Sequence, residues 1–233
     1  MLNYQAVSPD LIKLLIDLFR LNELHSFRLV GGTALALQMG HRKSVDLDLF
    51  TDRHFDKKEM QQFLGESFGD FKVNWENRNG FTSFIREIKV DFFNWHIPFL
   101  FSVIFEDGFR LADKREIAAM KLEAITGRKE KKDFIDIAFL LKEYSLRELL
   151  MGFKKRYPFI TLTFVLESLM AIDFADDSIV PEMLIEIDWD DTKKFIVQSV
   201  NNYFYAQKEI IENEKLERIR KAEELLKQAK DKE

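Results

Sequence analysis

Residues 29–50 read LVGGTALALQMGHRKSVDLDLF, which packs a strand end, a Gly-Gly turn, a compact helix and a second strand into a single run. Phe27 to Val30 is apolar enough for a short buried strand that stops at Gly31-Gly32. Thr33 to Met39 contains good helix formers and no breaker, and Gly40 stands where a C-cap glycine belongs. From Val45 to Phe50 the order Val, Asp, Leu, Asp, Leu, Phe has the period of two that marks a strand.

Two features of this run bear on chemistry. Gly31 and Gly32 precede a helix, where a backbone without side chains lets a phosphate approach free N–H groups and the positive end of the helix dipole. The same pair also serves simple turn geometry. In the second strand, period two sets Asp46 and Asp48 on one face and leaves Val45, Leu47 and Leu49 for the other. Carboxylates so placed repel each other unless a cation or basic partners lie between them; the plainer reading is a solvated strand face. Magnesium accepts this kind of oxygen ligation, using a few carboxylates together with substrate phosphates.

Upstream, Leu11, Leu14, Leu15, Leu18 and Leu21 recur at helical spacing between Pro9 and Leu24. Downstream, His54 to Phe68 reads as a helix. Phe71 to Trp75 and Phe81 to Ile85 read as strands joined by Glu-Asn-Arg-Asn-Gly, with Asn79-Gly80 supplying positive φ. Ile88 to Phe93 and Phe99 to Phe105 continue as strands, the last closed by Asp107-Gly108. Asp91 stands in the first of these among Val90, Phe92 and Phe93, where a free charge is costly unless paired or bound to metal; an exposed edge strand would tolerate it equally.

The remainder is helical. Asp113 with Glu116 fits a capping box for a helix reaching Thr126; others run from Asp133 to Glu143, from Ser145 to just before Pro158, and from 159 to 171. Residues 173–191 hold eight acidic residues and no basic one, as in a loop, and from Asp191 onward the pattern is one long helix. The fold class expected is α+β: a mixed sheet with flanking helices over 1–112, then a mainly helical C-terminal region over 113–233.

Composition sets the outer bounds. The 233 residues include no cysteine, which excludes thiolate zinc sites and cysteine nucleophiles and leaves oxygen or histidine for any metal. A net charge of −5 argues against bulk attraction to nucleic acid, although seven Lys or Arg against three Glu between Lys114 and Lys132 make a local basic run. No apolar run reaches the roughly 20 residues of a membrane span, and the opening MLNYQAVSPDLIKLL lacks a signal-peptide pattern, so no membrane association and a cytoplasmic location are expected. The 23 Phe are assigned to core rather than to stacking platforms.

The stretch Leu29 to Phe50 resembles the signature of the AbiEii/AbiGii-type toxin nucleotidyltransferases, a branch of the DNA polymerase β-like superfamily. MKLEAITGRKEKKDFIDIAFLL, Met120 to Leu141, is similar to that family's Lys, Arg, Lys-Asp-x-x-Asp segment, and the region from Pro181 is faintly so. The resemblance implies that Gly31, Gly32 and Thr33 cradle nucleotide phosphates and that Asp46, Asp48 and Asp91 bind two Mg²⁺ ions, with Asp91 helping to deprotonate the attacking hydroxyl. It implies that Lys121 meets the triphosphate of an NTP substrate and that Asp133 or Asp136 completes the nucleotide site. Arg42 is expected to contact a phosphate or to pair with Asp46 or Asp48, His41 to be structural, and Asp133 alternatively to be only an N-cap. The implied activity is transfer of a nucleoside monophosphate to a tRNA or protein acceptor by a toxin that a cognate antitoxin restrains, in phage defence. Modification of a small molecule such as an antibiotic, or a catalytically silent nucleotide- or partner-binding module, are the rival readings. An Asp-x-Asp phosphatase fits poorly because Phe50 stands where that motif wants Thr or Val.

Overall fold

The computed structural model describes residues 1–230, with side chains described through residue 221. Helix α1, Pro9–Arg20, opens on Ser8, whose hydroxyl accepts from the Leu11 N–H, and buries Leu11, Leu14, Leu15, Leu18 and Phe19. Strand β1, Arg28–Val30, feeds directly into α2, Gly31–Met39. That helix ends at Gly40 with φ of 65°, its N–H returned to the Ala36 carbonyl. The helix therefore begins on the glycines themselves, two residues earlier than the sequence predicts.

Strand β2 is Leu47–Thr51, so Asp46 lies just outside it. Helix α3, Lys57–Ser67, is capped by Asp56 and followed by β3, Lys72–Asn77, β4, Gly80–Ile85, and β5, Ile88–Asn94. Gly80 does not supply positive φ. It is already in β4, where a β-carbon would stand 2.1 Å from the Phe92 carbonyl oxygen, so glycine is needed there for close strand approach. The positive-φ turn of this region joins β4 to β5 at Arg86 and Glu87. The expected strand from Phe99 to Phe105 is irregular until Ile104. There a small hairpin forms, β6, Ile104–Glu106, and β7, Phe109–Leu111, around Asp107-Gly108.

The seven strands order as β3-β4-β5-β2-β1-β7-β6. β2 runs parallel to β5 and antiparallel to β1, and β7 joins β1 in parallel, giving a mixed sheet. Leu47, Leu49, Val90 and Phe92 turn into the core, while Asp48, Phe50, Lys89, Asp91 and Phe93 alternate onto the opposite face. Phe81 stacks on Phe92 at 5.1 Å, and Phe27 meets Phe92 edge-on at 6.1 Å. Each such ring contributes roughly 1.5–3 kcal/mol by burial.

Helices α4, Lys114–Gly127, α5, Lys131–Leu140, α6, Leu146–Arg156, and α7, Leu162–Met170, pack beside the sheet. Helix α8, Trp189–Lys230, anchors to them through Ile196 and Val200. Ser145 and Glu148 form the expected capping box. Glu116 does not: its buried carboxylate accepts from the Leu100 and Phe101 N–H groups at 2.7 and 3.2 Å, pinning the irregular 95–103 segment. No described helix is long and apolar enough to cross a membrane.

Candidate active site

Strand order brings the distant carboxylates together. Asp48 and Asp91 are register partners on β2 and β5, and Thr82 on β4 is the register partner of Asp91 on its other side. Asp46, Asp48 and Asp91 line one cleft of about 1100 Å³, together with Gly31, Gly32, Arg42, Lys89, Lys121 and Arg128. Phe50, Trp95 and Tyr157 form an aromatic wall beside the carboxylates. Trp95 meets Phe50 edge-on at 5.7 Å, and the buried Arg156 guanidinium covers one ring face of Trp95 at 3.3 Å.

Gly31 has φ of +66°, and a β-carbon there would lie 2.0 Å from Asp48 Oδ2. A β-carbon at Gly32 would lie 2.7 Å from an Arg42 guanidinium nitrogen. Both glycines thus admit protein side chains to the start of α2. Thr33 is buried rather than facing the cleft, and its hydroxyl binds the Ser44 hydroxyl at 2.8 Å and donates to the Asp46 carbonyl. Its place is to fix the loop that carries Asp46.

Arg42 does not pair with Asp46 or Asp48. Its guanidinium makes a two-pronged contact with Asp136, Nε to Oδ1 at 2.7 Å and Nη2 to Oδ2 at 2.8 Å. His41 Nε2 is 2.8 Å from the same carboxylate, the structural role expected of it. Lys121 Nζ lies 2.8 Å from Asp133 and 2.7 Å from Asp136, and Arg128 Nε donates to Asp133 at 2.7 Å. Asp133 is therefore no N-cap; Glu130 holds that position. Both aspartates are fully buried and face these cations instead of the cleft, so they position Arg42, Lys121 and Arg128.

Burial alone would raise the Asp136 carboxyl. Lys121, then Arg42, with hydrogen bonds from Arg42 and His41, override that and hold it well below the usual carboxylate range. Asp133 is lowered too, Lys121 and Arg128 prevailing over burial. Three cations meet two carboxylates here, which leaves positive charge at the cleft wall.

Asp48 shows the reverse. Burial, then the neighbouring Asp91, with Asp46 adding and Lys89 and Lys121 opposing, pushes it up to about 6. The side-chain oxygens of Asp46 and Asp48 receive no hydrogen bond from any described residue, whereas both oxygens of Asp91 are engaged. Thr82 donates to one at 2.6 Å, and the Lys89 ammonium lies 2.8 Å from the other. Burial opposes the charge on Lys89, but Asp91, with Asp48 and Asp46, raises it above its ordinary value.

Unpartnered hard oxygens fit a magnesium-like ion, which needs only one or two carboxylates plus phosphates and water. Among the described residues no three acidic or histidine side chains stand ready as a cage. The three-carboxylate cage expected from the sequence is thus not preassembled. Lys89 and Thr82 are the residues that sequence reading passed over, and Arg128 stood in the quoted Lys, Arg, Lys-Asp-x-x-Asp segment without a role of its own; Lys89 had a visible signal, since it lies two residues before Asp91 and so on the same strand face.

Segment 181–185 closes one wall. Lys43 N–H donates to the Glu182 carbonyl, Leu184 and Ile185 N–H groups donate to the His41 carbonyl, and Pro181 and Glu182 line the cleft.

A mixed sheet that sets a Gly-Gly helix start against an aspartate pair and a third strand aspartate is the architecture of a nucleotidyltransferase. The chain belongs to the family described as Nucleotidyl transferase AbiEii toxin, Type IV TA system, whose sequence profile it matches over residues 13–213. It is 30% identical over 187 residues to the uncharacterized protein aq_aa25 of Aquifex aeolicus (strain VF5), a match covering 77% of this chain and 88% of that one. Its fold is similar to that of JHP933 from Helicobacter pylori, with a TM-score of 0.57 at 17% identity, over 92% of this chain and 100% of that chain.

Proposed function

We propose that this nucleotidyltransferase is Mg²⁺-dependent and moves a nucleoside monophosphate from an NTP to a hydroxyl of a tRNA or protein acceptor. In the cell it is the toxin of a toxin–antitoxin pair that serves phage defence. The observation that carries the reading is the seating of Asp48 against the Gly31 helix start, in register with Asp91.

In this reading the free N–H groups at the start of α2 face the phosphates. Lys121 and Arg128, held by Asp133 and Asp136, offset the negative charge of the triphosphate. The nucleobase or the acceptor rests on the wall of Phe50, Trp95 and Tyr157, where aromatic faces accept any base. The acceptor oxygen attacks the α-phosphorus, the bond to the β-phosphate oxygen breaks, and pyrophosphate leaves. Asp91 takes up the acceptor proton. Asp46 and Asp48, with Asp91, would hold magnesium, which when bound would supply charge neutralisation and activation of the attacking oxygen.

The test is incubation with each α-³²P-labelled NTP, Mg²⁺ and either total RNA or cell extract, for wild type and for Asp48→Asn. Label transferred to RNA or protein by wild type alone is expected. A well-folded wild type that transfers no label overturns the proposal, as does an Asp48→Asn variant as active as wild type.

A further inference from the structure

Six cations line the cleft among the described residues, and five of them pair with Asp133, Asp136, Glu130 or Glu182. Lys89 differs, because its partner Asp91 is itself a candidate metal ligand. The two residues are two apart on β5 and share the cleft-facing side, and Thr82 completes the enclosure of the Asp91 carboxylate from β4. The Lys89 side chain is 37% exposed, so its four-carbon stem is not locked in the core. Asp46 and Asp48, a strand away, keep oxygens without protein donors.

An ammonium and a divalent ion at contact distance from one carboxylate oxygen repel each other strongly, so the two compete for the Asp91 oxygen that Lys89 holds. We propose that Lys89 is a built-in stand-in for the metal at Asp91: its ammonium closes the third carboxylate in the metal-free protein, and an arriving divalent cation must displace it. This inference rests on the metal-dependent reading given above. Displaced, the ammonium moves into the cleft, where the triphosphate of an NTP is the anion within its reach. The latch therefore makes metal binding weak without nucleotide and stronger with it, and by linkage metal strengthens nucleotide binding by the same factor.

The experiment measures Mn²⁺ binding, from the electron paramagnetic resonance signal of free Mn²⁺, with and without a non-hydrolysable α,β-methylene NTP. It compares wild type, Lys89→Met, Asp48→Asn and Lys132→Met. Lys132 is a half-exposed rim cation paired with Glu130, so it controls for the loss of one charge from the cleft. Lys89→Met is expected to bind Mn²⁺ alone about tenfold more tightly than wild type, with the added effect of nucleotide reduced at least threefold; Lys132→Met is expected to shift Mn²⁺ affinity less than twofold. Unchanged or weaker Mn²⁺ binding by Lys89→Met overturns the latch, and so does an equal gain in Lys132→Met. If Asp48→Asn binds Mn²⁺ as wild type does, or if neither wild type nor Lys89→Met binds it, the metal assignment fails and the latch with it. Loss in Asp48→Asn without gain in Lys89→Met removes the latch alone.

Discussion

Asp48 Oδ2 occupies the space where Gly31 would carry a β-carbon, 2.0 Å from that ideal position, and Gly31 holds φ of +66° at the same point. One missing methyl group thus allows both the backbone turn into α2 and the position of the central carboxylate. Gly31→Ala is expected to lose about 1–3 kcal/mol from left-handed strain alone, a fall of several degrees in melting temperature for a chain of this size. Because Asp48 must also move, label transfer should fall about a hundredfold. Calorimetric melting and the radiolabel assay read the two effects; a variant with wild-type transfer would show that Asp48 is not held to its post by this contact.

Asp48 should trade stability for function. Its carboxyl is pushed up to about 6, above the unfolded value of about 3.9, so the ionised form destabilises the folded state. Protons are bound more by the folded chain between these values, and stability falls as pH rises through that window. Asp48→Asn is expected to be more stable than wild type at pH 8 by roughly 3 kcal/mol, and so to melt at a higher temperature. The gain should shrink below pH 6, vanish below about pH 4, and coexist with loss of transfer. Melting curves from pH 4 to 8 check it, and an Asn variant less stable at pH 8 contradicts it.

Asp136 has the opposite sign. It is held well below the usual range by Lys121 and Arg42, so its contribution is complete above the unfolded value of about 3.9 and is lost as pH falls toward the depressed folded one. Removing it strands Arg42, Lys121 and His41 around an empty site. Asp136→Ala should cost about 3–5 kcal/mol, measured by urea unfolding at pH 7. The acid limb of the wild-type stability curve should flatten in Asp136→Asn.

Arg128 is half exposed, and its pair with Asp133 is partly screened by solvent. Arg128→Ala should leave the melting temperature within a few degrees of wild type while raising the KM for NTP about tenfold. Steady-state kinetics over an NTP series decide it; a pure loss of kcat at unchanged KM would remove Arg128 from the ground-state phosphate site.

Much of this architecture can be read in the sequence because alternation is local. The Leu-Asp-Leu-Phe of β2 and the Lys-Val-Asp-Phe of β5 announce which face each side chain takes, and Gly40 announces the end of α2. The Asp107-Gly108 turn was legible but β7 after it escaped because a three-residue strand carries too little pattern, and the Arg86-Glu87 turn escaped because it reaches positive φ without Gly or Asn. The site was legible in its parts but not in its pairings. Asp136 meets Arg42 across 94 positions and Gly31 meets Asp48 across a helix and a loop, so their partners are set by tertiary packing. Spacing suggested a phosphate cradle at Gly31 and Gly32, and the structure shows that the room they leave is shared with Asp48 and Arg42.

The seam between 41–43 and 182–185 has a consequence for the birth of the molecule. Its hydrogen bonds join a segment made early in translation to one made late, and that late segment forms a wall of the cleft. All seven strands, Gly31 and Asp48 precede Pro181 and Glu182 in the chain, so the segment that walls this side of the cleft is supplied after the sheet. Closure of the cleft on this side therefore depends on a segment that lies far along the chain from the strands bearing the carboxylates.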